Sequence, residues 1–294
     1  MKDLCGIIGI YSKEKRDVPK IIYYGLYALQ HRGQVSAGMA VNNNGYIDYH
    51  KGLGLAYEVL DKDVLNRLRG DIGIGHVRTG SSVKTTTANA EPLVVGYKQG
   101  ALALAYDGSL VNYRELREKM EDDGIIFQSS IDTEVIANLI ARYHKEDIEQ
   151  AIIKAVKDIK GSYALVLMTN DRLIGVRDPY GLKPLCIGKL GKDYILSSET
   201  CALDTIGAQF VRDVNPGEMV VIIDRDIKSI KTKEADNKNI CLFEIIYLAR
   251  PDSKLDGKSI YRLRREAGRN LAREHPVEGD IVISAPDSGT VAAI

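Results

Sequence analysis

The sequence lacks any long apolar run. Its 294 residues contain no stretch of about 18 consecutive apolar residues, which is the length that a membrane-spanning helix needs. Residues 1–4 also lack the long apolar segment with which a secretory signal peptide begins. These absences predict a cytoplasmic protein with no membrane partner.

An excess of charge of one sign is also missing. The 40 lysines and arginines balance the 40 aspartates and glutamates, so the formal net charge is zero. Nucleic acids and anionic lipids attract proteins largely through an excess of positive charge. We therefore expect no nucleic-acid partner, and the composition favours chemistry on a small molecule.

Cysteine is scarce and widely spaced. The four cysteines are Cys5, Cys186, Cys201 and Cys241, and no two of them form a Cys-x-x-Cys pair. This spacing argues against a zinc knuckle and against a thioredoxin-like site. Taken alone, each cysteine is best interpreted as a small buried hydrophobic residue. The sequence thus predicts neither a metal site nor a cofactor.

What the sequence does contain is a mixture of strand and helix patterns. Apolar strand-like runs occupy residues 5–11, 39–41, 72–77 and 101–106, and short strands dominate from residue 163 to residue 223. Between them, helical periodicity covers residues 111–122, 133–144 and 148–159. Strands at both ends with helices clustered between them indicate an α+β fold in which stacked sheets are covered by helices.

The chain changes character after residue 223. Residues 224–239 are polar and charged with no apolar period, which indicates a hairpin or a linker and a domain boundary. Beyond it, the pattern predicts a helix at 259–274, a strand at 280–285 and a turn at 286–289. These elements are typical of the opening of an α/β domain, so we expect a short, partial α/β segment at this end.

Cys5 is the residue whose position suggests chemistry. Removal of residues 1–4 would give one residue both a thiol and a free α-amine. Such an amine has an ordinary pKa of about 7.7–8.0, so it can accept the thiol proton near neutral pH without help from a histidine. The alternative is a cysteine that begins a buried strand.

Four polar clusters accompany Cys5, each at the end of an apolar element or in a predicted turn. They are residues 30–38, 75–78, 107–109 (Asp-Gly-Ser, read as a turn after a strand) and 130–134. Loops and element ends of this kind assemble pockets for small polar ligands. An arginine can grip an α-carboxylate with two hydrogen bonds, and an aspartate can hold an α-ammonium. The clusters therefore predict a pocket for a small zwitterion.

These segments resemble the glutaminase domain of class II, N-terminal-nucleophile amidotransferases. The resemblance is carried by residues 5–10 (Cys-Gly-Ile-Ile-Gly-Ile), 31–34 (His-Arg-Gly-Gln), 75–78 (Gly-His-Val-Arg) and 132–136 (Asp-Thr-Glu-Val-Ile). Residues 197–202, 211–218 and 243–253 are similar to the narrower family of glutamine phosphoribosylpyrophosphate amidotransferases of purine synthesis. An asparagine synthetase-type glutaminase is disfavoured because residues 243–253 continue into phosphoribosyltransferase-like sequence.

The resemblance implies a fold and a division of the chain. The fold is a four-layer αββα sandwich of the N-terminal-nucleophile hydrolase type. Residues 1–4 would be a propeptide, residues 5–235 a glutamine amidotransferase domain, and residues 236–294 the incomplete start of a phosphoribosyltransferase-like domain. The implied partners are glutamine, a separate phosphoribosyltransferase subunit for the missing half, and further copies of the chain in a homo-oligomer.

The resemblance also implies an activity and roles for particular residues. Glutamine would be hydrolysed to glutamate and ammonia through a thioester on Cys5, and Gly108 would offer a backbone N–H to the oxyanion. The glutamine itself would be bound by Arg78 at its α-carboxylate and by Asp132 at its α-ammonium. Arg32 and Gly33 would lie in the pocket wall. Residues 177–185 are interpreted as structural turn sequence.

The chain departs from the family pattern at several positions near these residues. Asp107 stands where an asparagine amide completes the oxyanion hole, and an ionised aspartate can only accept hydrogen bonds. Glu91, Thr79 and Val35 replace a glutamine, an aromatic residue and an acidic residue. An alternative function follows, namely a catalytically impaired relative that binds an amino acid or regulates. Cys241 matches one ligand of an iron–sulfur cluster, but without the other three we expect no cluster.

Overall fold

The computed structural model describes residues 4–14, 16–80, 86–224, 226–234 and 239–294. Its strands are, in chain order, β1 (Cys5–Tyr11), β2 (Ser36–Asn43), β3 (Tyr46–Leu53), β4 (Ile72–Arg78), β5 (Leu93–Tyr97), β6 (Gly100–Leu110), β7 (Gly161–Met168), β8 (Leu173–Arg177), β9 (Cys186–Leu190), β10 (Asp193–Ser197), β11 (Gln209–Asp213), β12 (Glu218–Ile223), β13 (Asp226–Lys231), β14 (Lys254–Leu255) and β15 (Lys258–Ser259).

The helices alternate with the strands and cluster in the middle of the chain. They are α1 (Val18–Ala28), α2 (Ala56–Val59), α3 (Lys62–Arg67), α4 (Tyr113–Asp122), α5 (Asp132–Tyr143), α6 (Ile148–Asp158), α7 (Thr200–Thr205), α8 (Ile260–Glu274) and α9 (Thr290–Ala293). Single 3₁₀ turns lie at Gln30–Arg32 and Thr87–Asn89, and a π-helical turn lies at Glu244–Leu248. The helices predicted at 111–122, 133–144, 148–159 and 259–274 are confirmed within one or two residues at their ends.

Two antiparallel sheets form the body of the described structure. The first has the strand order β11-β9-β10-β1-β4-β2-β3, and the second has the order β13-β12-β8-β7-β6-β5. Strand β1 lies in the middle of the first sheet, where it pairs with β10 on one side and with β4 on the other. The N-terminal strand is thus held by neighbours along both edges, and the predicted α+β class is confirmed.

Three apolar clusters show how the sheets and helices pack. Alternate residues of β1 point to opposite faces of the sheet, so Ile7 joins a cluster with residues of the second sheet such as Val166. Its neighbour Ile8 packs with α1 on the outer face. On the outer face of the second sheet, α5 and α6 cover β6 and β7, with Ile140 and Ile152 fully buried. The three clusters therefore lie on the outer face of the first sheet, between the two sheets, and on the outer face of the second sheet.

Local sequence explains where the first helix lies. Asp17 caps α1 by accepting a hydrogen bond from the Lys20 N–H, and Pro19 occupies the first turn, where its missing N–H costs nothing. Ile22 and Leu26, one turn apart, then bury the same face of the helix. The helix is fixed over the centre of the first sheet. The Gln30–Arg32 turn follows the helix and returns the chain to the sheet at Arg32.

Two sequence predictions are wrong. Residues 107–109 form no turn: they continue β6, where Asp107 pairs with Ala164 and Gly108 with Tyr163. Residues 280–285 form no strand, and Ile281 and Ile283 are more than 80% exposed. An apolar run becomes a strand only when a neighbouring strand pairs with it through hydrogen bonds. Among the described residues, no strand pairs with residues 280–285.

The chain leaves the second sheet through a hairpin. Strands β12 and β13 pair antiparallel, so the hairpin alternative for the polar stretch after residue 223 is confirmed in its first part. The predicted boundary at 235/236 and most of the proposed propeptide, residues 1–3, lie outside the described residues. None of the helices described is long and apolar enough to span a bilayer.

Candidate active site around Cys5

Cys5 begins β1 and is 2% exposed. Its register partner on β4 is Arg78, and two residues further along β1 Ile7 pairs with His76. Because Cys5 and Ile7 share a face of the strand, the thiol is directed towards the second sheet. The nucleophile candidate therefore lies at the end of the space between the two sheets, not on an outer surface.

The main chain of Cys5 is held at both of its polar groups. Its N–H donates to Asp107 Oδ1 at 3.1 Å, and its carbonyl oxygen accepts from Arg32 Nε at 2.8 Å. Arg32 also donates to Asp107 Oδ2 at 3.1 Å. The three residues come from β1, β6 and the turn after α1, so their contact ties the two sheets together at Cys5.

Five buried charged residues form what we call the Arg32 cluster: Arg32, Asp107, Lys183, Glu199 and Glu244. Arg32 donates to Glu199 at 2.7 Å and, through both terminal nitrogens, to Glu244 at 2.9 Å. Lys183 Nζ lies 2.9 Å from Asp107 Oδ1. Buried charges are tolerated only when paired in this way.

The charges in this cluster reinforce one another. Burial works against the charged forms of Arg32 and Lys183, but the surrounding carboxylates outweigh it and raise both pKa values above their ordinary values. Burial also opposes ionisation of Glu199, yet the charges and hydrogen bonds of His31 and Arg32 hold its pKa well below the ordinary value. Arg32, Lys183 and Glu199 therefore stay ionised at neutral pH.

The Arg32 cluster also joins Cys5 to residues 239–294, which we call the C-terminal segment. Glu199 Oε2 accepts from the Ser253 hydroxyl at 2.7 Å and from the Arg250 N–H at 3.0 Å. Glu244 begins the π-helical turn of the same segment. Residues of this segment thus lie one side chain away from the Cys5 carbonyl, since Arg32 contacts both.

A second cluster faces the thiol. His76 Nε2 lies 2.9 Å from the Tyr106 carbonyl oxygen and 3.0 Å from Glu91 Oε2, and the Thr133 hydroxyl donates to the other oxygen of Glu91. Both ionisable residues are buried. We call His76, Glu91 and Thr133 the His76 cluster.

Protonation in the His76 cluster is coupled to Cys5. Burial alone would lower the pKa of His76, but the Glu91 carboxylate and Cys5 outweigh it and raise that pKa to about 10. Burial opposes the ionisation of Glu91 as well, yet His76 holds its pKa below the ordinary value. For Cys5, burial raises the pKa of the thiol, and the hydrogen bond and charge of His76 offset this only in part.

The structure brings the two predicted glutamine-binding residues to the same site. Arg78 donates to the Asn89 carbonyl oxygen at 3.0 Å, and the Asn89 side chain exchanges two hydrogen bonds of 3.1 Å with Ser130. Two residues later, Asp132 opens α5 and accepts from the Leu110 N–H at 2.8 Å. Contacts therefore run from Arg78, opposite Cys5, through the start of α5 to the end of β6.

Two glycines are required by close backbone approach. A Cβ on Gly33 would lie 2.3 Å from the backbone nitrogen of Arg78, and one on Gly108 would lie 2.1 Å from the Ser162 carbonyl oxygen. A side chain at Gly33 would push the turn after α1 away from β4, and a side chain at Gly108 would push β6 away from β7. Gly33 and Gly108 thus set the spacing of the site, whatever else they do.

Sequence reasoning missed three residues of the site. Lys183 lies in the stretch interpreted as structural turn sequence, while Glu199 and Glu244 entered only as part of family-like segments. The available signal for Lys183 was its position between Leu182 and Pro184, since a charged residue among apolar and turn residues is unusual. The partners lie 76 and more positions away in sequence, so their pairing could not be read from spacing.

Beside the site lies a cavity of about 720 Å³. Leu4, Gly108 and Lys183 line it on the side of Cys5, and Phe243 and Glu244 line it on the side of the C-terminal segment. Arg78 and Asp132 are not among the residues that line it. The cavity is therefore distinct from the place where a glutamine backbone would be gripped.

Comparison with known proteins shows what this chain is similar to. The sequence model of the glutamine amidotransferase domain family matches residues 76–205. The amidophosphoribosyltransferase of Methanocaldococcus jannaschii is 46% identical over 99% of this chain and 65% of its own length, and that of Archaeoglobus fulgidus is 43% identical over 99% and 64%. Over nearly its whole length, the chain is similar to amidophosphoribosyltransferases.

A solved structure shows the same similarity. The glutamine phosphoribosylpyrophosphate amidotransferase of Bacillus subtilis, complexed with ADP and GMP, has a TM-score of 0.93 and 42% identity over 98% of this chain and 62% of that chain. The chain spans about 62–65% of the length of these amidophosphoribosyltransferases. In that relative the matched part and the remainder form one chain, so the separate phosphoribosyltransferase subunit expected from sequence gains no support.

Proposed function

We propose that residues 5–235 hydrolyse glutamine to glutamate and ammonia through a thioester on Cys5. The observation that carries the proposal is the placement of Cys5 directly opposite Arg78 on paired central strands. Hydrogen bonds continue from Arg78 to the start of α5, where Asp132 lies, and from Asp132 to the end of β6, which bears Gly108. A thiol, a cation for a carboxylate and an anion for an ammonium thus surround one small site.

In the proposed mechanism, Cys5 acts as an N-terminal residue. Its α-amine takes the thiol proton, and the sulfur attacks the glutamine side-chain carbonyl. The Gly108 N–H stabilises the oxyanion, and the amide nitrogen leaves as ammonia after receiving that proton. Water then adds to the thioester, which releases glutamate and returns the thiol. Arg78 and Asp132 hold the α-carboxylate and the α-ammonium throughout, which supplies orientation.

Asp107 is the residue that favours a second candidate function. Its two carboxylate oxygens contact two cationic side chains, Arg32 and Lys183. An anion beside the α-amine of Cys5 would keep that amine protonated and oppose its action as a base. The alternative is therefore an amino-acid-binding or regulatory protein that keeps the pocket and hydrolyses glutamine slowly or not at all.

We further propose that the ammonia serves a phosphoribosyl acceptor, as expected for amidophosphoribosyltransferases. Residues 236–294 would open the domain that binds that acceptor. This role is supported by the Arg32 cluster, in which Glu244 contacts Arg32 and Ser253 contacts Glu199. Such contacts would let the acceptor domain affect the position of Cys5.

Removal of the carboxylate grip tests the glutamine site itself. In a Cys5→Ala background, which binds but does not turn over glutamine, Arg78→Ala should weaken glutamine binding by about 2–5 kcal/mol, the usual cost of truncating one member of a buried charged pair. Isothermal titration calorimetry measures this directly. The matched control is Arg142→Ala, because Arg142 is an exposed arginine that pairs with Asp123 far from Cys5.

The outcomes separate the candidates. Loss of binding in Arg78→Ala but not in Arg142→Ala supports the pocket, and glutaminase turnover in the Cys5 chain then decides between enzyme and binding protein. Equal glutamine affinity in both variants, with both folded, would reject the role of Arg78.

A further inference from the structure

His76 is a buried ionisable residue that the mechanism proposed above does not use. The antiparallel register pairs Cys5 with Arg78 and Ile7 with His76, so His76 lies diagonally across from Cys5 on the same face of the sheet. Both side chains point into the space between the two sheets, and His76 is fully buried there. The ring is close enough to the thiol to interact with it by charge and by hydrogen bonding.

The contacts of the imidazole show which of its nitrogens needs a partner. His76 Nε2 faces two acceptors, the Tyr106 carbonyl oxygen at 2.9 Å and Glu91 Oε2 at 3.0 Å, so Nε2 carries a hydrogen. Nδ1 is buried and has no hydrogen-bond partner among the described residues. In an imidazolium both nitrogens carry a hydrogen, and a buried N–H without an acceptor is costly. The charged ring therefore needs a further acceptor, and a thiolate on Cys5 supplies one.

Glu91 keeps the ring charged. Glu91 is 1% exposed, and the carboxylate oxygen that does not face His76 accepts from the Thr133 hydroxyl. Burial opposes the ionisation of Glu91, but His76 and Arg78 outweigh it and lower the pKa of the carboxyl. Burial likewise opposes the charge on His76, but Glu91 and Cys5 raise the pKa of the imidazole to about 10. Glu91 replaces a glutamine of the family pattern, and a neutral amide offers no charge that would hold a buried imidazole protonated.

The remaining ionisable groups near the thiol and the ring do not stabilise a thiolate as His76 does. They are Lys51 on β3, Arg78 on β4, Glu91, Tyr106 and Asp107 on β6, and Asp132 at the start of α5. Burial raises the pKa of the Cys5 thiol, and the charge and hydrogen bond of His76 lower it. Asp107 and Glu91 raise it further. Burial holds the pKa of Tyr106 well above its ordinary value, so this phenol stays neutral.

We propose that His76 is the charged partner of the Cys5 thiolate. Its imidazolium, held by Glu91, donates to the sulfur as the sulfur becomes negative, and so activates the nucleophile. The thiol proton passes to water or to the α-amine, the electron pair stays on the sulfur, and the ring keeps both of its protons. His76 is then a catalytic residue, because it contacts the attacking atom, and Glu91 is a positioning residue that acts through His76. The inference rests on the proposed function in one respect, namely that Cys5 is the nucleophile.

A charged partner for the sulfur matters in this chain because of Asp107. An anion beside the α-amine of Cys5 opposes the action of that amine as a base. A thiolate stabilised by His76 does not depend on the amine, so it forms even where the amine is protonated. Cys5 is therefore expected to react as a nucleophile even if glutamine is turned over slowly.

The first test measures the pKa of the thiol without glutamine. Iodoacetamide alkylates cysteine through the thiolate, and peptide mapping from pH 6 to pH 10 gives the rate at Cys5 separately from the other three cysteines. The native chain is compared with the double variant His76→Gln/Glu91→Gln, which removes both charges of the pair together. The control is His144→Gln, because His144 follows α5 and is hydrogen-bonded to Tyr97.

The double variant should have a thiol pKa that is higher by about 1–3, because the charge of His76 lowers this pKa more than Glu91 raises it. A thiolate of higher pKa is also more nucleophilic, which recovers about half of the loss on a logarithmic scale. Alkylation of Cys5 at pH 8 should therefore slow by about 3–30-fold, and His144→Gln should match the native chain. Alkylation at the native rate in a folded double variant would overturn the proposal.

The second test leaves His76 and Glu91 in place and uses reciprocity. If the imidazolium lowers the pKa of the thiol, the thiolate must raise the pKa of the imidazole by the same amount. NMR of ¹³C-labelled histidine follows the five histidines, and the signal of His76 is the one whose pKa falls in Glu91→Gln. In Cys5→Ser, which forms no thiolate, the pKa of His76 should be lower than in the native chain by about 1–3.

The second test decides the matter even if the double variant does not fold. A pKa of His76 that is the same in Cys5→Ser and in the native chain would contradict the proposal, because a purely structural histidine would not respond to the thiolate. Neither measurement involves glutamine. A failure of the glutamine site would leave both results unchanged, so the two failures are distinguishable.

Discussion

Cys5 lies between two buried charged clusters that differ in what they contact. The Arg32 cluster binds the main chain of Cys5 at its N–H, through Asp107, and at its carbonyl oxygen, through Arg32. The His76 cluster faces the thiol, and its central contact is a single His76–Glu91 ion pair of 3.0 Å. One cluster therefore fixes the position of Cys5, and the other affects the pKa of its thiol.

The comparison shows that position and reactivity are controlled by different residues. The Arg32 cluster spans β6, the turn after α1, the loop at residue 183 and the C-terminal segment, so it is a structural junction. The His76 cluster is local to β4, the residues before β5 and the start of α5. Loss of Arg32 should appear in stability, and loss of Glu91 should appear in the pH dependence of stability.

The largest expected effect is on stability, from Arg32→Met. The substitution leaves Asp107, Glu199 and Glu244 buried without their common cation, and breaking a buried pair typically costs about 3–5 kcal/mol. Urea unfolding measures the change. Arg142→Met, which breaks an exposed pair, should change stability by at most about 1 kcal/mol. Equal losses in the two variants would show that the Arg32 cluster contributes no more than a surface ion pair.

Asp107→Asn should act mainly on turnover. A carboxylate within hydrogen-bond distance typically moves a pKa by about 1–3, and here it would raise the pKa of the Cys5 α-amine. Replacement by asparagine should increase glutaminase turnover at pH 7 about 10²-fold and move the acid limb of the pH–rate profile to lower pH. Rates are normalised to the fraction whose mass shows Cys5 at the N-terminus.

One outcome for Asp107→Asn would contradict this prediction. Turnover that is unchanged or lower at every pH, in a chain that unfolds like the native one, would mean that Asp107 does not oppose catalysis. The binding or regulatory alternative would then lose its main support.

Glu91→Gln should have a smaller, pH-dependent effect. The folded-state pKa of His76 is raised to about 10, above its ordinary value of 6.5, so the pair stabilises the fold fully below pH 6.5 and progressively less as pH rises through about 10. The glutamine amide can still accept from His76, so the cost at pH 6 should be about 1 kcal/mol, the difference between a hydrogen bond to a charged group and one to a neutral group.

The measurement is urea unfolding of native and Glu91→Gln chains at pH 6, 8 and 10. The stability difference should shrink steadily as pH rises, since native His76 loses its charge while the variant no longer depends on it. A difference that stays constant across this range would contradict the ion pair and leave only a packing effect.

Much of this molecule could be predicted from its sequence, and the limits have physical causes. Periodicity located α5 and α6 because each buries one face on a sheet, and the family-like segments located Cys5, Arg78 and Asp132. Lys183 was missed because its partner, Asp107, is contributed by a different sheet strand. The strand expected at 280–285 failed because pairing with another strand, not apolar sequence, decides whether an apolar run joins a sheet.

The most direct test of the central claim is covalent labelling of Cys5. A glutamine-like diazoketone should react with one residue per chain, because the thiol lies beside the residues that would grip the α-carboxylate and α-ammonium. Peptide mapping of the labelled native chain should place the modification on Cys5, with excess glutamine protecting it and Cys5→Ala unlabelled. Labelling that persists unchanged in Cys5→Ala, or that glutamine does not slow, would contradict the assignment of Cys5 as the nucleophile of a glutamine site.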